Sequence, residues 1–124
     1  MTQPIAYDTV LERMAAAVPQ LANVYEAEVA SWAPDSPPPT VFIELKFVPH
    51  LVQQLESGNE LEIKRCFSFL EQLASSPDTA LHELLGVAVV EPLLEDEKMF
   101  GLVISAAGPK FCKLAMQMRD WPPR

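Results

Sequence analysis

The chain has 124 residues, of which 49% are hydrophobic, and a formal net charge of −8. This length suits one domain, and the hydrophobic fraction is too high for wholesale disorder. No stretch approaches the roughly 20 uninterrupted apolar residues that cross a bilayer, and residues 1–8 lack the features of a signal peptide, so we expect a single cytoplasmic domain over residues 1–124.

The negative charge is concentrated in the N-terminal half. Residues 1–63 hold nine acidic and two basic side chains, a net −7, whereas residues 64–124 hold eight and seven, a net −1. Such a field repels nucleic acid and anionic membranes, because phosphate binding needs clustered lysine and arginine. It favours a basic partner, and solubility alone explains the charge equally well.

Prolines and glycines divide the chain into predicted helices. The first is expected from Asp8 to about Val18 and the second from Pro19 to Trp32, each with apolar residues at helical spacing. The proline-rich stretch 33–39 then interrupts the helical pattern, because proline fixes φ and removes a hydrogen-bond donor. It predicts a stiff surface connector or a docking loop.

A third helix is expected from Thr40 onwards, ending at Gly58, since glycine suits the left-handed position after a helix. Pro49 lies inside it and predicts a kink or break between Phe47 and His50. The segment from Thr40 to Phe47 is also rich in β-branched and aromatic residues and fits a strand. We favour helix, because no other segment alternates in a way that would pair with a single strand.

Two further helix starts are indicated by capping signals. Asn59 followed by Glu62 resembles a capping box and begins a fourth helix. In the Ser-Pro-Asp stretch at 76–78, Ser76 is expected to cap a fifth helix, with Pro77 and Asp78 in its first turn. This helix is apolar on nearly every side, so we expect it to be the most buried one. A kink in this helix is expected near Gly86 or Pro92.

Two more helices complete the predicted fold. Asp96 begins a sixth helix, and the last runs from Lys110 to about Asp120 and meets the tail 121–124. Six to seven helices joined by short loops predict an all-α fold of antiparallel pairs, either a compact bundle or a short stack like a helical-repeat solenoid.

Catalytic and metal-binding motifs are absent from the sequence. His50 and His82 are the only histidines, neither lies in an HExxH motif, and the cysteines have no zinc-type spacing with them. We therefore expect no enzyme activity, no cofactor and no metal, and interpret Cys66 and Cys112 as core residues in a reducing compartment. A Cys–His nucleophile pair remains the enzymatic alternative.

One candidate partner-binding site is an acidic knot near the end of the fifth helix. It consists of Glu91, Glu95, Asp96 and Glu97. These residues form either a solvated helix edge or a contact surface for arginine and lysine side chains of a partner, since Arg–carboxylate pairs supply orientation as well as attraction.

A second candidate lies near the end of the second predicted helix and consists of Glu26, Glu28 and Trp32, beside the proline-rich stretch. Trp32 is either a core anchor, which we favour, or a partly exposed residue that dominates binding. In the second case the two carboxylates would supply an acidic rim around an aromatic anchor.

Three motifs carry a resemblance to a known group of proteins. They are the helix Phe67-Ser68-Phe69-Leu70-Glu71-Gln72-Leu73, the apolar run Leu84 to Leu94 with its Glu91-Pro92 step, and the turn Gly108-Pro109-Lys110. Across residues 40–119 the chain resembles small, acidic, helical bacterial immunity proteins encoded beside polymorphic toxins of contact-dependent, Rhs or type VI delivery systems. The resemblance implies a tight one-to-one complex with a cognate toxin, and of the site residues it extends only to Glu91.

The leading hypothesis is therefore an immunity protein that covers the active cleft of a basic toxin domain, such as a nuclease or an ADP-ribosyltransferase. A toxin that acts on a polyanion or on NAD presents cationic groups, which an acidic surface can occupy. The alternative is a helical adaptor or regulatory module that binds a peptide or a partner helix in a groove.

Overall fold

The computed structural model describes residues 4–120, and these form seven helical segments and no strand. Each label below covers consecutive helical parts, because several helices contain a turn of different geometry. The segments are α1 (7–17), α2 (19–32), α3 (39–57), α4 (60–75), α5 (79–94), α6 (97–106) and α7 (109–119). The all-α prediction is confirmed, the strand alternative for 40–47 is wrong, and the tail 121–124 lies outside the described residues.

Four of the seven helices are composite. In α1 a 3-10 turn, Tyr7–Thr9, precedes Val10–Ala17, and in α2 Pro19–Leu21 precedes Ala22–Trp32. In α3 and α5 a π turn joins two α-helical parts: Pro39–Phe42, Ile43–Phe47 and Val48–Ser57, then Thr79–Leu84, Leu85–Val90 and Glu91–Leu94. The remaining three are uniform: Glu60–Ser75, Glu97–Ala106 and Pro109–Arg119. No helix in the described part of the chain is long and apolar enough to span a membrane.

Each π turn ends two residues before a proline. In α3 the Val48 N–H bonds to the Ile43 carbonyl five residues back, one position before Pro49. In α5 the residue before Pro92 bonds in the same way to Gly86. Proline lacks an N–H, and in a regular helix its ring clashes with the carbonyl four residues earlier. Because a π turn is wider than an α-helical turn, it moves this carbonyl away from the ring. A π turn thus precedes each of the two prolines near which we expect a kink.

The wider turn changes which residues of α3 face the core. Phe42 and Ile43 are buried, and the next buried pair is Phe47 and Val48, five positions later instead of the usual three or four. Leu45, between the two pairs, is 60% exposed. An apolar residue that a regular helix would share with the buried stripe thus lies at the surface.

Helices α4 and α5 occupy the centre of the structure. Helix α4 contacts α1, α3, α5 and α7, and α5 also contacts α3, α6 and α7. The predicted burial of the fifth helix is confirmed, since its apolar side chains are buried except for Val87, which is 48% exposed, and for the half-buried Ala80 and Leu94. The remaining helices surround this central pair.

Side-chain caps confirm two of the predicted helix starts. The Asn59 Oδ1 accepts a hydrogen bond from the Glu62 N–H, and the Asp96 Oδ1 accepts one from the Met99 N–H. Gly58 has φ 74° after α3, as expected of a residue in the left-handed region. The capping box is incomplete, however, because the Glu62 side chain accepts no hydrogen bond from the backbone N–H of Asn59.

Asp78, and not Ser76, caps α5. One Asp78 carboxylate oxygen accepts from the Ala80 N–H, and the other accepts from the Tyr7 N–H at 2.9 Å. The Ser76 hydroxyl donates to the Ile5 carbonyl at 2.6 Å. The Ser-Pro-Asp stretch therefore begins a helix, as predicted, and also binds the start of α1 to the centre of the fold.

Glu71 of α4 caps the N-terminus of α7 from across the structure. Its two carboxylate oxygens accept hydrogen bonds from the backbone N–H groups of Lys110, at 3.0 Å, and Phe111, at 2.8 Å. These first-turn N–H groups have no acceptor within their own helix. A Cβ on Gly108 would lie 2.7 Å from the Glu71 carboxyl group, so glycine allows this close approach.

Replacing Glu71 with alanine is expected to lower the free energy of unfolding by about 1–3 kcal/mol, because two N–H groups lose a charged acceptor. Chemical denaturation followed by circular dichroism measures the change, with Gln72→Ala on the exposed side of α4 as control. Gly108→Ala should also destabilise, and the double variant should lose less than the sum of the two, since both changes affect one contact. Additive losses, or a wild-type midpoint for Glu71→Ala, would contradict the cap.

Candidate functional sites

The acidic knot is exposed at the junction of α5 and α6. Glu91, Glu95, Asp96 and Glu97 are all exposed, and the Asp96 carboxylate is engaged as the cap of α6. Within residues 4–120 the other three carboxylates make no hydrogen bond and no ion pair. They are therefore available to cations from outside the chain, whereas Asp96 has a structural role of its own.

A cleft of about 530 Å³ opens beside the knot, between α5 and α7. It is lined by His82, Glu83, Glu91, Leu94, Leu114, Gln117 and Met118. Its apolar residues are half-buried, and its two carboxylates are exposed. This combination suits an arginine or lysine side chain, whose stem is apolar and whose end is cationic.

In the second candidate site, at the end of α2, Glu28 lies between an aromatic residue and a cation. Its carboxylate accepts a hydrogen bond from the Trp32 Nε1–H at 3.1 Å and lies 3.8 Å from the Lys46 ammonium. Glu26 is exposed, and Trp32 is 42% exposed, so the core position that we favoured for Trp32 is wrong. The reason is that Ala22–Trp32 has no buried residue, which leaves an aromatic side chain at its end outside the core.

Further apolar side chains are exposed on α2 and on its neighbour α3. Sequence reasoning missed Val29 at 39%, Val41 at 43% and Leu45 at 60% exposure. We call these three and Trp32 the α2–α3 face. The π turn in α3 explains the exposure of Leu45. In the sequence, Pro49 was the signal that the helix would be irregular at this position. The knot and this face lie on different helices.

A larger cleft of about 680 Å³ follows α4 towards the turn before α7. Its charged lining residues are Arg13, Lys64 and Glu71. The mixed signs give this cleft no preference for a basic partner, and Glu71 is already engaged with the N-terminus of α7.

Three metal-ligating side chains meet between α3 and α4. The His50 Nε2 lies 3.1 Å from the Glu62 Oε1, and one ligand atom each from His50, Glu62 and Cys66 lies within 4.8 Å of the others. Glu62 is 1% exposed, Cys66 is fully buried, and the His50 side chain is 11% exposed. The Glu62 Oε2 accepts no hydrogen bond, and the Arg65 guanidinium lies 3.5 Å from it.

Sequence reasoning missed this cluster because its residues belong to two helices. Glu62 and Cys66 are four residues apart on α4, so they share one face, and His50 comes from α3. We interpreted Glu62 as half of a capping box, but its side chain turns to His50 instead. The three-residue spacing of Asn59 and Glu62 does not show that the Glu62 side chain would leave the Asn59 N–H unbonded.

The Cys66 thiol is suppressed as a nucleophile. Burial, and secondly the negative charge of Glu62, raise the pKa of Cys66 from 9.0 to about 12. The thiol is therefore protonated at neutral pH, and the thiolate is the nucleophilic form. The core interpretation of Cys66 is confirmed, whereas Cys112 on α7 is only half-buried, so for it that interpretation is wrong. Because α7 packs on α4 from outside, Cys112 retains contact with solvent.

Comparison with known proteins identifies one family. A family model described as "Domain of unknown function (DUF7674)" matches residues 11–121, which include α2 to α7 and the part of α1 from Leu11 onwards. No curated protein matches the chain. No solved structure matches it either.

Timed alkylation with iodoacetamide is expected to modify Cys112 far faster than Cys66 in the folded protein. A pKa raised from 9.0 to about 12 lowers the thiolate population of Cys66 by roughly 1,000-fold at neutral pH, and burial also excludes the reagent. Peptide mass spectrometry at a series of times measures both rates, with a chelator present and a denatured sample as the control. Comparable rates at the two cysteines in the folded protein would show that Cys66 is accessible and reactive.

Proposed function

The chain belongs to the DUF7674 family, and we propose that it is an immunity protein that binds and neutralises a bacterial toxin domain. The observation that carries the proposal is the α5–α6 junction, where Glu91, Glu95 and Glu97 are exposed without partners among residues 4–120 and Glu91 also lines a cleft that contains Leu94, Leu114 and Met118. The resemblance of residues 40–119 to immunity proteins of polymorphic toxin systems supports the same function.

The acidic knot would act first on the encounter between the two proteins. A chain of net charge −8 attracts a basic domain over distances up to about the Debye length of 8–10 Å at physiological salt. Exposed ion pairs contribute little each, so affinity must come mainly from side chains that become buried. The cleft beside Glu91 offers such a position to an arginine or lysine of the toxin.

A toxin that acts on nucleic acid or on NAD fits this surface. Such an enzyme binds phosphates and therefore presents cationic groups at its active site. Occupying those groups with the carboxylates of the knot would block substrate without any chemistry by the immunity protein. A nuclease and an ADP-ribosyltransferase are the two classes that we consider.

A helical adaptor is the second candidate function, and the α2–α3 face supports it. Its four apolar side chains are between 39% and 60% exposed, on neighbouring helices. The two helices approach each other at the Glu28–Lys46 ion pair and the Tyr25–Phe42 ring contact. Exposed aromatic and aliphatic side chains are a feature of protein-binding surfaces. In this case binding would depend on apolar contact and little on salt.

Reversing the charge of Glu91, Glu95 and Glu97 to lysine is expected to slow association with the toxin by about 10-fold or more at low ionic strength, with a smaller effect at high salt. Asp96 stays unchanged, because its loss would uncap α6. Stopped-flow or surface-plasmon measurements at two ionic strengths give the rates. The matched control reverses the exposed Glu12, Glu56 and Glu60, which changes the net charge equally.

Equal slowing by both triple variants would attribute the effect to net charge and reject the knot as the contact surface. Co-expression tests the function itself: the product of the neighbouring gene should stop growth when alone and form a complex with this chain when together. A harmless neighbour that forms no complex would refute the immunity proposal.

The double variant Trp32→Ala, Leu45→Ser separates the two candidate functions. Under the immunity proposal it should leave association with the toxin unchanged, because both residues lie on α2 and α3 and neither belongs to the α5–α6 junction. Isothermal titration at moderate salt measures the affinity. Loss of binding in this variant, with none in the knot variant, would favour the adaptor.

A further inference from the structure

We infer that His50, Glu62 and Cys66 form a zinc-binding site that links α3 to α4. The inference does not depend on the proposed function, since the cluster is buried while the acidic knot is exposed. It rests on the juxtaposition of three different ligand types inside the fold, on a buried carboxylate oxygen without a hydrogen bond, and on the distances between the ligand atoms.

The ligands are nearly in place. Zinc binds imidazole nitrogen and carboxylate oxygen at about 2.0–2.2 Å and thiolate sulfur at about 2.3 Å, so tetrahedral ligand atoms lie roughly 3.3–3.6 Å apart. In this chain the His50 Nε2 and Glu62 Oε1 are 3.1 Å apart, and every pair in the cluster is within 4.8 Å. Shifts of about 1 Å in side-chain position would complete the geometry.

The donor set selects a borderline-soft cation. One nitrogen, one oxygen and one sulfur suit zinc, whereas calcium and magnesium require mostly oxygen ligands. Three protein ligands leave a fourth tetrahedral position for water or another ligand. His50, whose side chain is 11% exposed, is the most accessible of the three residues. Coordination needs the thiolate, so binding would release the Cys66 proton to water.

The second observation is the state of Glu62. A carboxylate that is 1% exposed is expected to satisfy both of its oxygens, yet Oε2 accepts no hydrogen bond among the described residues. Its nearest cation, Arg65, is 3.5 Å away and has a 40% exposed side chain. A metal ion would take over the compensation of this buried charge and release Arg65 to solvent.

The test is zinc binding by the purified full chain, freed of metal and titrated with zinc against a chromophoric chelator. We expect one equivalent to bind and the melting temperature to rise with zinc. His50→Gln and Cys66→Ser should each weaken binding more than about 100-fold, beyond the usual effect of losing an outer-shell contact. The matched controls His82→Gln and Cys112→Ser use the other histidine and the other cysteine and should bind as wild type.

The absorption spectrum of bound cobalt identifies the ligands in the wild-type chain, so this measurement needs no substitution. Co²⁺ bound to the wild-type chain should show a thiolate-to-metal charge-transfer band and a tetrahedral visible spectrum. Arg65→Gln should tighten zinc binding, because it removes a cation that competes for Glu62. Absence of zinc binding, a cobalt spectrum without the thiolate band, or equal affinities in the ligand variants and their controls would overturn the inference and leave an ion pair of Glu62 with His50 and Arg65.

Discussion

The structure depends on how two helices, α3 and α5, each place a stripe of apolar side chains in the core and yet contain a proline. Helices α3 and α5 contact each other. Helix α3 contains Pro49 and α5 contains Pro92, and in each helix a π turn precedes the proline. Because a π turn shifts the buried stripe by one residue, it exposes Leu45 and keeps Phe47 and Val48 inside. Both candidate sites adjoin these turns, since His50 follows Pro49 and Glu91 precedes Pro92. Turns of this kind often accompany functional positions.

Local signals in the sequence predicted most of the helical order. Gly58, Asn59 and Asp96 act at helix ends as their residue types indicate, because capping is decided within one turn of the chain. Contacts between distant segments could not be predicted in this way. The cap that Glu71 supplies to α7 joins residues 39 and 40 positions apart, and no spacing rule describes it. The placement of Trp32 failed for a related reason, because hydrophobic spacing does not say whether a helix end reaches the core.

The candidate sites were predicted unevenly. The acidic knot could be found because four carboxylates follow one another closely in the sequence, but the apolar cleft beside it is formed with α7 and appears only in the fold. The His50–Glu62–Cys66 cluster could not be found, since its members lie on two helices and Glu62 has an ordinary local explanation as a capping residue. The two inferences concern different properties of one molecule: an exposed acidic surface for a basic partner, and a buried site that links two helices of the core.

Hydrogen–deuterium exchange on the complex tests whether a basic toxin domain binds the α5–α6 junction. Binding there is expected to slow exchange of backbone amides in residues 91–99 and in the part of α7 that lines the cleft, while α2 exchanges as in the free chain. Protection confined to α2 and the first half of α3, with the junction unchanged, would contradict it. Complex and free protein are compared at the same pH and ionic strength, so that any difference reports the contact itself.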